Sequence, residues 1–273
     1  MSVDFGHISP KTFLLPTLGP ILTNLSRELH FGRGFFVLRT IPVDSYSRAD
    51  NVLIYAGVSS YVGEQRGLQD GDGGVLSHVK DLTRTDQAGL IGGPAYTTVK
   101  QVFHTDNGDI ISLMALDVAA EGGTSRISSI WRVYNELAET RPDLIKTLSE
   151  PWPFQAYVFL SSNQFIYFEL NMQGNKKRFN RNPPFRLRPI LHYVDSKIIL
   201  QYARRSFTGY MHLPRSKNIP PITEAQAEAL DTLHFLGEKY SLGLNFQKGD
   251  IQYINNLSLF HARDGFRDDE LHT

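Results

Sequence analysis

Residues 102–109 read VFHTDNGD, and a distant stretch at residues 257–261 reads LSLFH. The first carries His104 and Asp106 two positions apart, and the second ends on His261. Two imidazoles and one carboxylate form a ligand set suited to divalent iron, with positions left open for a chelating co-substrate and dioxygen, provided that the fold brings the two stretches together. An H-x-D pair alone is common, and its ordinary interpretation is a strand-end His bonded to a nearby carboxylate. The sequence around each ligand therefore has to decide between a metal centre and a structural contact.

The first stretch is predicted to follow a strand. Residues 97–103 alternate and are rich in β-branched side chains, which predicts a strand that delivers His104 at its C-terminal end. Asn107-Gly108 then predicts a hairpin turn into a second strand over residues 110–118. We therefore expect His104 at the end of one strand and Asp106 at the start of the turn that follows.

The rest of the chain also consists of short predicted strands and turns, with a few amphipathic helices. The further predicted strands are residues 35–38, 75–79, 187–191, 197–202, 251–254 and 257–261, and the predicted helices are residues 20–30, 47–61, Ser128 or Ser129 to 137, and 223–240. A capping box at Thr223 and Gln226 opens the last helix. We find no βαβ repetition, so the pattern favours one mostly β domain over residues 1–273, with a jelly-roll or barrel core and flanking helices.

The composition is that of an ordinary soluble globular chain, with 41% hydrophobic and 21% charged residues. Lys plus Arg and Asp plus Glu both number 28, so no electrostatic attraction to nucleic acid or to an anionic membrane is expected. The absence of Cys excludes disulfides, thiolate metal sites and a cysteine nucleophile. The sequence shows no signal peptide and no run of the ~18 apolar residues that a membrane span needs, so we expect a cytoplasmic protein that acts on a small molecule.

Several motifs, including both histidine stretches, resemble the taurine dioxygenase (TauD/TfdA-like) family of oxygenases, and especially its branch abundant in filamentous fungi. The resemblance runs from about Ile8 to Asp268 with one interruption. The motifs that carry it are GFFVLR at residues 34–39, HTD at residues 104–106, EGGTS at residues 121–125, GDIQYINN at residues 249–256 and HARD at residues 261–264. Because these motifs occur together in the family's order and spacing, the resemblance is specific.

The resemblance implies a double-stranded β-helix, the jelly roll of clavaminate synthase-like enzymes, in which the H-x-D pair and the distal His meet at one barrel mouth. It implies that His104, Asp106 and His261 hold Fe(II), and that 2-oxoglutarate and O2 are co-substrates. The expected function is oxidation of a C–H bond in a small organic substrate, by hydroxylation, desaturation or ring formation, with release of succinate and CO2. The metal and the co-substrate would carry the chemistry, and the protein would supply placement and a dry pocket.

The resemblance also suggests roles for residues around the metal. The hydroxyl-bearing family residue that binds the far carboxylate of 2-oxoglutarate matches Ser125, with Thr124 as the alternate, and a short donor at a strand start suits a carboxylate oxygen. A plain turn or cap role is the competing interpretation for both. Arg204 and Phe207 follow a strand that the family often points at the pocket, so they are candidate substrate contacts. The alternative for the basic residues 204–205 is a solvated pair.

Two features depart from the family pattern. The family's arginine for the co-substrate carboxylate lies a little over ten residues beyond the distal His, whereas this sequence stops at Thr273, so its C-terminus reads as truncated. Arg263 and Arg267 lie closer to His261 than that spacing. The segment 155–178 reads as an insert, which is either a substrate lid or the product of an imperfect gene model.

Two other functions stay open on the sequence alone. A non-catalytic or degenerate barrel homologue would keep the fold and bind metal or a small ligand. A zinc hydrolase would use the same three ligands with water at the open position. A requirement for 2-oxoglutarate separates the oxygenase from the hydrolase, and the sequence does not indicate the oligomeric state.

Overall fold

Strand pairing organises the chain in a computed structural model that describes residues 5–69, 73–88, 91, 93–155, 158–161, 164–166, 185–210 and 214–269. The helices are α1 (Leu18–Phe31), α2 (Arg48–Ser59), α3 (Ile130–Thr140), α4 (Pro142–Ser149), α5 (Arg205–Thr208) and α6 (Glu224–Lys239). The strands are β1 (Phe35–Leu38), β2 (Gln101–His104), β3 (Ile110–Met114), β4 (Glu121–Gly122), β5 (Ser125–Ser129), β6 (Trp152–Gln155), β7 (Val158–Ser161), β8 (Gln164–Ile166), β9 (Phe185–Arg188), β10 (Leu191–Val194), β11 (Lys197–Leu200), β12 (Leu242–Leu244), β13 (Ile251–Asn255), β14 (Leu259–Arg263) and β15 (Phe266–Arg267).

Two antiparallel sheets form the barrel. The first has the strand order β1-β13-β3, and the second has the order β12-β5-β14-β2. Apolar side chains from both sheets form one cluster between them, made of Ile127, Leu244, Ile254 and Leu259 with Phe35, Val37 and Ile111 packed against it. Four two-stranded pairs, β4-β15, β6-β9, β7-β8 and β10-β11, complete the described strands. The predicted double-stranded β-helix with flanking helices is confirmed.

Helices cover the outer face of each sheet, because alternate strand residues point away from the interior. Ile251 and Tyr253 of β13 belong to an outer cluster that includes buried leucines of α1. Phe103 of β2 and Phe260 of β14, whose ring centroids lie 4.9 Å apart, belong to a second outer cluster that α3, α4 and α6 complete. β13 is consequently buried on both faces, and Gln252 and Ile254 are the residues of this strand that face the interior.

Three sequence signals locate their elements correctly. β1 begins at Phe35 and ends at Leu38, as the sequence predicts. Ser47 caps α2, and its hydroxyl accepts the backbone N–H three residues further on at 3.1 Å. The capping box of α6 forms in both directions between Thr223 and Gln226. The two cap signals work because each rests on contacts local to the chain.

The predicted hairpin at Asn107-Gly108 is wrong. β2 pairs with β14 and β3 pairs with β13, so this turn carries the chain from one sheet to the other. The turn between β13 and β14 makes a second crossing between the same two sheets. Gly108 has a φ of 116°, a backbone conformation that favours glycine. A turn between two sheets needs such a residue as much as a hairpin does, so the Asn-Gly pair does not distinguish the two kinds of turn.

Of the two strands predicted before His104, one is not formed and the other begins later than expected. Residues 75–79 form no regular structure, and no described strand pairs with them. β2 begins only at Gln101, because Thr97 holds the preceding residues in a turn. Its hydroxyl donates to the carbonyl of Pro94 at 3.0 Å and accepts the N–H of Val99 at 3.3 Å. Local side-chain bonds of this kind compete with strand formation.

Other predicted strands have different bounds. The strand expected over residues 110–118 ends at Met114. The strand expected over residues 187–191 is divided between β9 and β10, with Pro189 in the break, where it has no N–H to donate to a ladder.

The predicted insert at residues 155–178 lies only partly within the described residues. Its described strands, β7 and β8, pair with each other, and the remainder of the segment lies outside the described residues. In the described part of the chain, no helix is long and apolar enough to cross a membrane.

Candidate metal centre

The pairing of β2 with β14 places His104 directly opposite His261. Residues opposite each other in an antiparallel pair project to the same face, so both imidazoles enter the barrel interior side by side. Their ring centroids are 4.3 Å apart with a 50° angle between the rings. A slip of one residue in this register would turn one ring to the outside, so the sheet itself sets the pair.

Asp106 completes the group from the turn after β2. Its carboxylate oxygens lie 3.6 Å from Nε2 of His104 and 3.4 Å from Nε2 of His261. One ligand atom from each of the three residues falls within 4.8 Å of the other two. The histidine side chains are 11% and 10% exposed, whereas that of Asp106 is 47% exposed. The carboxylate therefore faces the open mouth of the barrel, and the imidazoles form its inner wall.

A buried Asn fixes the turn that carries Asp106. The side chain of Asn256, which is 2% exposed, donates from Nδ2 to the carbonyls of Asp106 and Gly108, each at 2.8 Å. Its Oδ1 accepts the backbone N–H of Asp106 at 3.1 Å. Asn256 lies in the turn between β13 and β14, so one amide joins the two chain crossings between the sheets.

The residue between the two ligands of the first stretch is also held by backbone contacts. Thr105 donates its N–H to the carbonyl of Tyr202 at 2.7 Å, and its hydroxyl accepts the N–H of Tyr202 at 2.8 Å. Both residues are buried. This reciprocal pair attaches the segment that leads into α5 to the strand end that carries His104.

Hydrogen bonding presents Nε2 of His104 to the site. Its Nδ1 lies 2.8 Å from the carbonyl of Val102 and donates to it, so Nε2 carries the free electron pair. The side-chain amide of Gln101 donates to that Nε2 at 3.0 Å, in the place where a metal ion would bind. A metal-ligating His usually donates its other ring N–H to an acceptor such as a backbone carbonyl, as Nδ1 of His104 does.

The protonation states also suit a metal. Burial, together with the neighbouring charge of His261, lowers the pKa of His104 to about 4, so this imidazole is neutral at neutral pH. Burial raises the pKa of Asp106, but its hydrogen bond to His261 and the positive charges around it lower the pKa more, to well below its usual range. Metal ligands have to be neutral imidazoles and an ionised carboxylate, and the environment keeps His104 and Asp106 in those forms.

The three residues fit a divalent metal ion. Two imidazoles and one carboxylate converge, with one ligand atom from each within 4.8 Å of the others. The donor set is that of a non-haem Fe(II) facial triad. The sequence-predicted ligands His104, Asp106 and His261 are thus brought together in space.

The predicted co-substrate contacts Ser125 and Thr124 lie at the start of β5. The hydroxyl of Ser125 donates to Oε1 of Gln252 at 2.8 Å across the barrel interior. The carbonyl of Thr124 accepts the N–H of Asp264 at 3.0 Å. Ser125 therefore faces the interior, in contact with a buried amide that the sequence did not single out.

The predicted substrate contacts Arg204 and Phe207 have other partners in the described structure. Arg204 forms an ion pair with Asp231 of α6 at 2.6 Å. Phe207 is 3% exposed and lies in the core against Trp152 and Phe154, with ring centroids 5.1 and 4.6 Å apart. Neither side chain has a described contact with the metal centre, so a substrate role for them gains no support.

The neighbouring Arg205 belongs to the same basic pair, but the sequence interpretation selected Arg204 and Phe207 in its place. Its positive charge lowers the pKa values of both His104 and Asp106. A Cβ on Gly93 would lie only 2.4 Å from Nη1 of Arg205, so the guanidinium rests directly on that glycine. The sequence signal was the basic pair itself, but only the fold distinguishes the arginine that pairs with Asp231 from the one whose charge acts on His104 and Asp106.

The two arginines closest to His261 in sequence have structural partners. Arg263 donates to the carbonyls of Thr97 and Val99 at 2.7 and 2.8 Å, and it holds the turn before β2. Arg267 pairs with Glu121 on the surface. In the part of the chain that the structure describes, the cation whose charge acts on both His104 and Asp106 is Arg205.

Comparison with known proteins yields close and distant relatives. The family model described as "Taurine catabolism dioxygenase TauD, TfdA family" matches residues 3–273. The taurine hydroxylase-like protein SAT17 of Stachybotrys chartarum (strain CBS 109288 / IBT 7711) is 38% identical over 266 residues, which cover 96% of this chain and 63% of that protein. The FR-33289 synthase of Streptomyces rubellomurinus (strain ATCC 31215) is 22% identical over 262 residues, or 95% of this chain and 71% of that protein. The chain thus spans 63% of the length of the first relative.

Solved structures share the fold. An asparagine oxygenase in complex with Fe(II), 2S,3S-3-hydroxyasparagine and succinate superimposes with a TM-score of 0.64 at 18% identity, over 94% of this chain and 76% of that one. The non-heme iron oxygenase OrfP in complex with Fe, succinate and (3S)-hydroxy-L-Arg gives 0.66 at 17% identity, over 96% of this chain and 80% of that one. At these identities the likeness concerns the fold, whereas the family model extends over nearly the whole sequence. The chain belongs to the taurine catabolism dioxygenase TauD, TfdA family.

Proposed function

We propose that this chain is an oxygenase that uses Fe(II), 2-oxoglutarate and dioxygen to oxidise a C–H bond in a small organic molecule. The observation that carries the proposal is the convergence of His104, Asp106 and His261 at the mouth of the barrel. Family membership supports the same activity.

The three ligands would hold the metal through two imidazole nitrogens and one carboxylate oxygen. When bound, Fe(II) together with 2-oxoglutarate and dioxygen supplies the oxidising chemistry, and succinate and CO2 are the co-products. The hydrogen bond of His104 to the Val102 carbonyl keeps Nε2 available for the metal. The low pKa values of His104 and Asp106 keep both groups in their binding forms without a proton-transfer step.

The barrel interior would protect the reaction from water. Ile127 lies opposite His261 in the sheet, and Ile254 and Leu259 belong to the same buried cluster. A dry apolar wall strengthens the electrostatic contacts inside it and restricts side reactions of the oxidant with solvent. The exposed side of Asp106 marks the opposite, open side, from which we expect the substrate to approach.

Arg205 suggests a class of substrate. Its positive charge acts on Asp106 and His104, and the same charge would attract an anion that enters the mouth. We therefore propose a small substrate that carries a carboxylate or another anionic group, and we assign its contact to Arg205 in place of Arg204 and Phe207. Pairs of anionic and neutral analogues, compared by succinate release, would test this preference.

An anaerobic titration tests the proposed function. The protein is loaded with Fe(II) and titrated with 2-oxoglutarate, and the weak visible charge-transfer band of the chelate is recorded. We expect the band in the wild type and its loss in His104→Ala, with His30→Ala, an exposed His, as the matched control. A protein that binds iron but gives no band at high 2-oxoglutarate would contradict the proposal and favour a non-catalytic metal-binding homologue.

A further inference from the structure

One buried amide inside the barrel has an unused donor. Gln252 is 1% exposed, and its Oε1 accepts the hydroxyl of Ser125 at 2.8 Å. Its Nε2 is buried and has no hydrogen-bond partner among the described residues. Buried amide donors are almost always paired, because an unpaired one loses its water without compensation.

The neighbours of Gln252 in the sheet are apolar. Val37 and Leu113 are the neighbours of Gln252 in the sheet, and Ile254 follows it on the same face. An apolar residue of similar size would fill this interior without leaving a polar atom unpaired. A buried donor with no protein partner is what a ligand-binding site presents before its ligand arrives.

The sheet sets the distance from this donor to the metal centre. Ile127 lies opposite His261 in the pairing of β5 with β14, and Ser125 is two residues earlier on the same face. A strand advances about 3.3 Å per residue, so Ser125 lies roughly 7 Å along the strand from the row that holds His261. A five-carbon dicarboxylate that chelates the metal through its keto acid end extends over about that distance. Its free carboxylate would therefore reach the Ser125–Gln252 pair.

We propose that Nε2 of Gln252 binds the far carboxylate of 2-oxoglutarate, and that Ser125 orients the amide by donating to its Oε1. This inference rests on the proposed function. The Ser125 hydroxyl decides which end of the amide points at the ligand, since an inverted amide would place Oε1 against the carboxylate. Ser125 is thus a positioning residue in this arrangement, and Gln252 makes the contact.

If Gln252 binds the far carboxylate, replacing Gln252 should weaken the binding of 2-oxoglutarate and leave the binding of a keto acid without that carboxylate nearly unchanged. Two probes differ only at the far end: 2-oxoglutarate carries the second carboxylate, and 2-oxopentanoate carries a methyl group in its place. Each is titrated anaerobically into the Fe(II) protein, and the dissociation constant is taken from the visible chelate band, a readout that does not depend on turnover. Gln252→Leu should weaken 2-oxoglutarate roughly 10- to 100-fold, the usual effect of losing a hydrogen bond to a charged group. It should change 2-oxopentanoate by about twofold or less.

Two further variants sharpen the test. Gln252→Glu places a negative charge against the far carboxylate and should weaken 2-oxoglutarate more than Gln252→Leu does. Gln247→Leu, an exposed Gln in the loop before β13, is the matched control and should leave both dissociation constants unchanged.

The results of these titrations distinguish the role of Gln252 from the proposed function on which it rests. If Gln252→Leu weakens both keto acids equally, Gln252 only packs the barrel and the inference is overturned, and unchanged binding of 2-oxoglutarate overturns it as well. A chelate band in the wild type upholds the proposed function in either case. Failure of the wild type to form a band with either probe overturns the proposed function and this inference together.

Discussion

The three candidate ligands differ in what holds them. His104 and His261 are fixed by strand register, because each lies opposite the other in a paired sheet. Asp106 lies in a turn, and its position depends on the hydrogen bonds that Asn256 makes to the turn backbone. The histidines should therefore tolerate changes outside their strands, whereas the carboxylate should respond to changes in the turn of the other crossing.

The pKa of His104 predicts a pH effect on the metal-free protein. In the unfolded chain the imidazole titrates near pH 6.5, and in the folded protein burial lowers its pKa to about 4. Between these values the unfolded state binds more protons, so the free energy of unfolding falls as the pH is lowered through this window. We expect His104 to contribute up to about 3 kcal/mol to that fall.

Urea unfolding of the metal-free protein at a series of pH values measures this effect. His104→Gln has no imidazole to protonate, so its free energy of unfolding should decline less than that of the wild type between pH 6.5 and 4. Titrating groups outside the metal centre are common to both proteins and cancel in the difference. Parallel curves for the two proteins would show that His104 is not held neutral by the fold.

Arg205 and Arg204 form a natural pair for a second prediction. Removing the charge of Arg205 relieves its repulsion of a divalent ion at His104 and Asp106, so Arg205→Gln should tighten Co(II) binding by roughly 2- to 5-fold at low ionic strength. Arg204→Gln removes a charge that Asp231 already pairs with, and should change the affinity less. The Arg205 effect should shrink in 0.5 M salt, measured by the visible absorption of bound Co(II). An equal effect of both variants would place Arg205 away from the metal.

At the level of single residues, sequence reasoning located residues that the fold brings together where a family motif existed, and it did not locate those that only the fold places. His104, Asp106 and His261 lie in motifs whose spacing is recognisable. Gln252 also lies in one of these motifs. The sequence alone does not show whether its side chain points into the barrel or away from it, because that depends on the strand pairing. Arg204 and Arg205 are adjacent, and the start of a four-residue helix turns one toward Asp231 and leaves the other near the metal centre.

At the level of elements, helices and caps were predictable, and pairings were not. The capping box of α6 and the Ser47 cap of α2 rest on neighbours in the chain. The Asn107-Gly108 turn has the chemistry of a hairpin, but β2 pairs with a strand more than 150 residues away. Pairing between distant strands is a property of the complete barrel, and a local window does not contain it.

Asn256 gives a prediction at this level, because it joins both crossings between the sheets. Asn256→Ala would leave the backbone groups of Asp106 and Gly108 without the partner that the buried Asn256 side chain provides. We expect a loss of about 2–4 kcal/mol in the free energy of unfolding and a metal affinity lower by at least tenfold. Urea unfolding and Co(II) titration measure the two effects.

The adjacent Asn255 is the matched control. Its side chain donates to the carbonyl of Leu29 in α1 and accepts the N–H of Leu257, and it makes no described contact with the Asp106 turn. Asn255→Ala should therefore cost stability while the metal affinity stays near that of the wild type. A metal affinity reduced equally in both variants would mean that general loosening of the barrel, and not the Asn256 bonds, controls Asp106.

For the whole molecule, the metal centre connects parts of the chain that are far apart in sequence. His104 and Asp106 lie at the end of β2, and His261 lies in β14, so a bound ion adds a cross-link between two segments that the unfolded chain would separate. Anything that binds only the folded state stabilises it by mass action. At a free ion concentration 100 times the dissociation constant, this amounts to about 2.7 kcal/mol.

That stabilisation should appear as a higher melting temperature. For a chain of this size we expect Co(II) to raise Tm by roughly 5–10 °C, with a further rise when 2-oxoglutarate is added, measured by scanning calorimetry. A chelator should reverse the shift, because the ion and the fold are linked reversibly. His261→Ala should lose both increments, since the cross-link needs a ligand from each distant segment, whereas His30→Ala should keep them. If His261→Ala shows the same increments as the wild type, the ion stabilises the protein from another site, and the convergence of the three ligands does not form the metal centre.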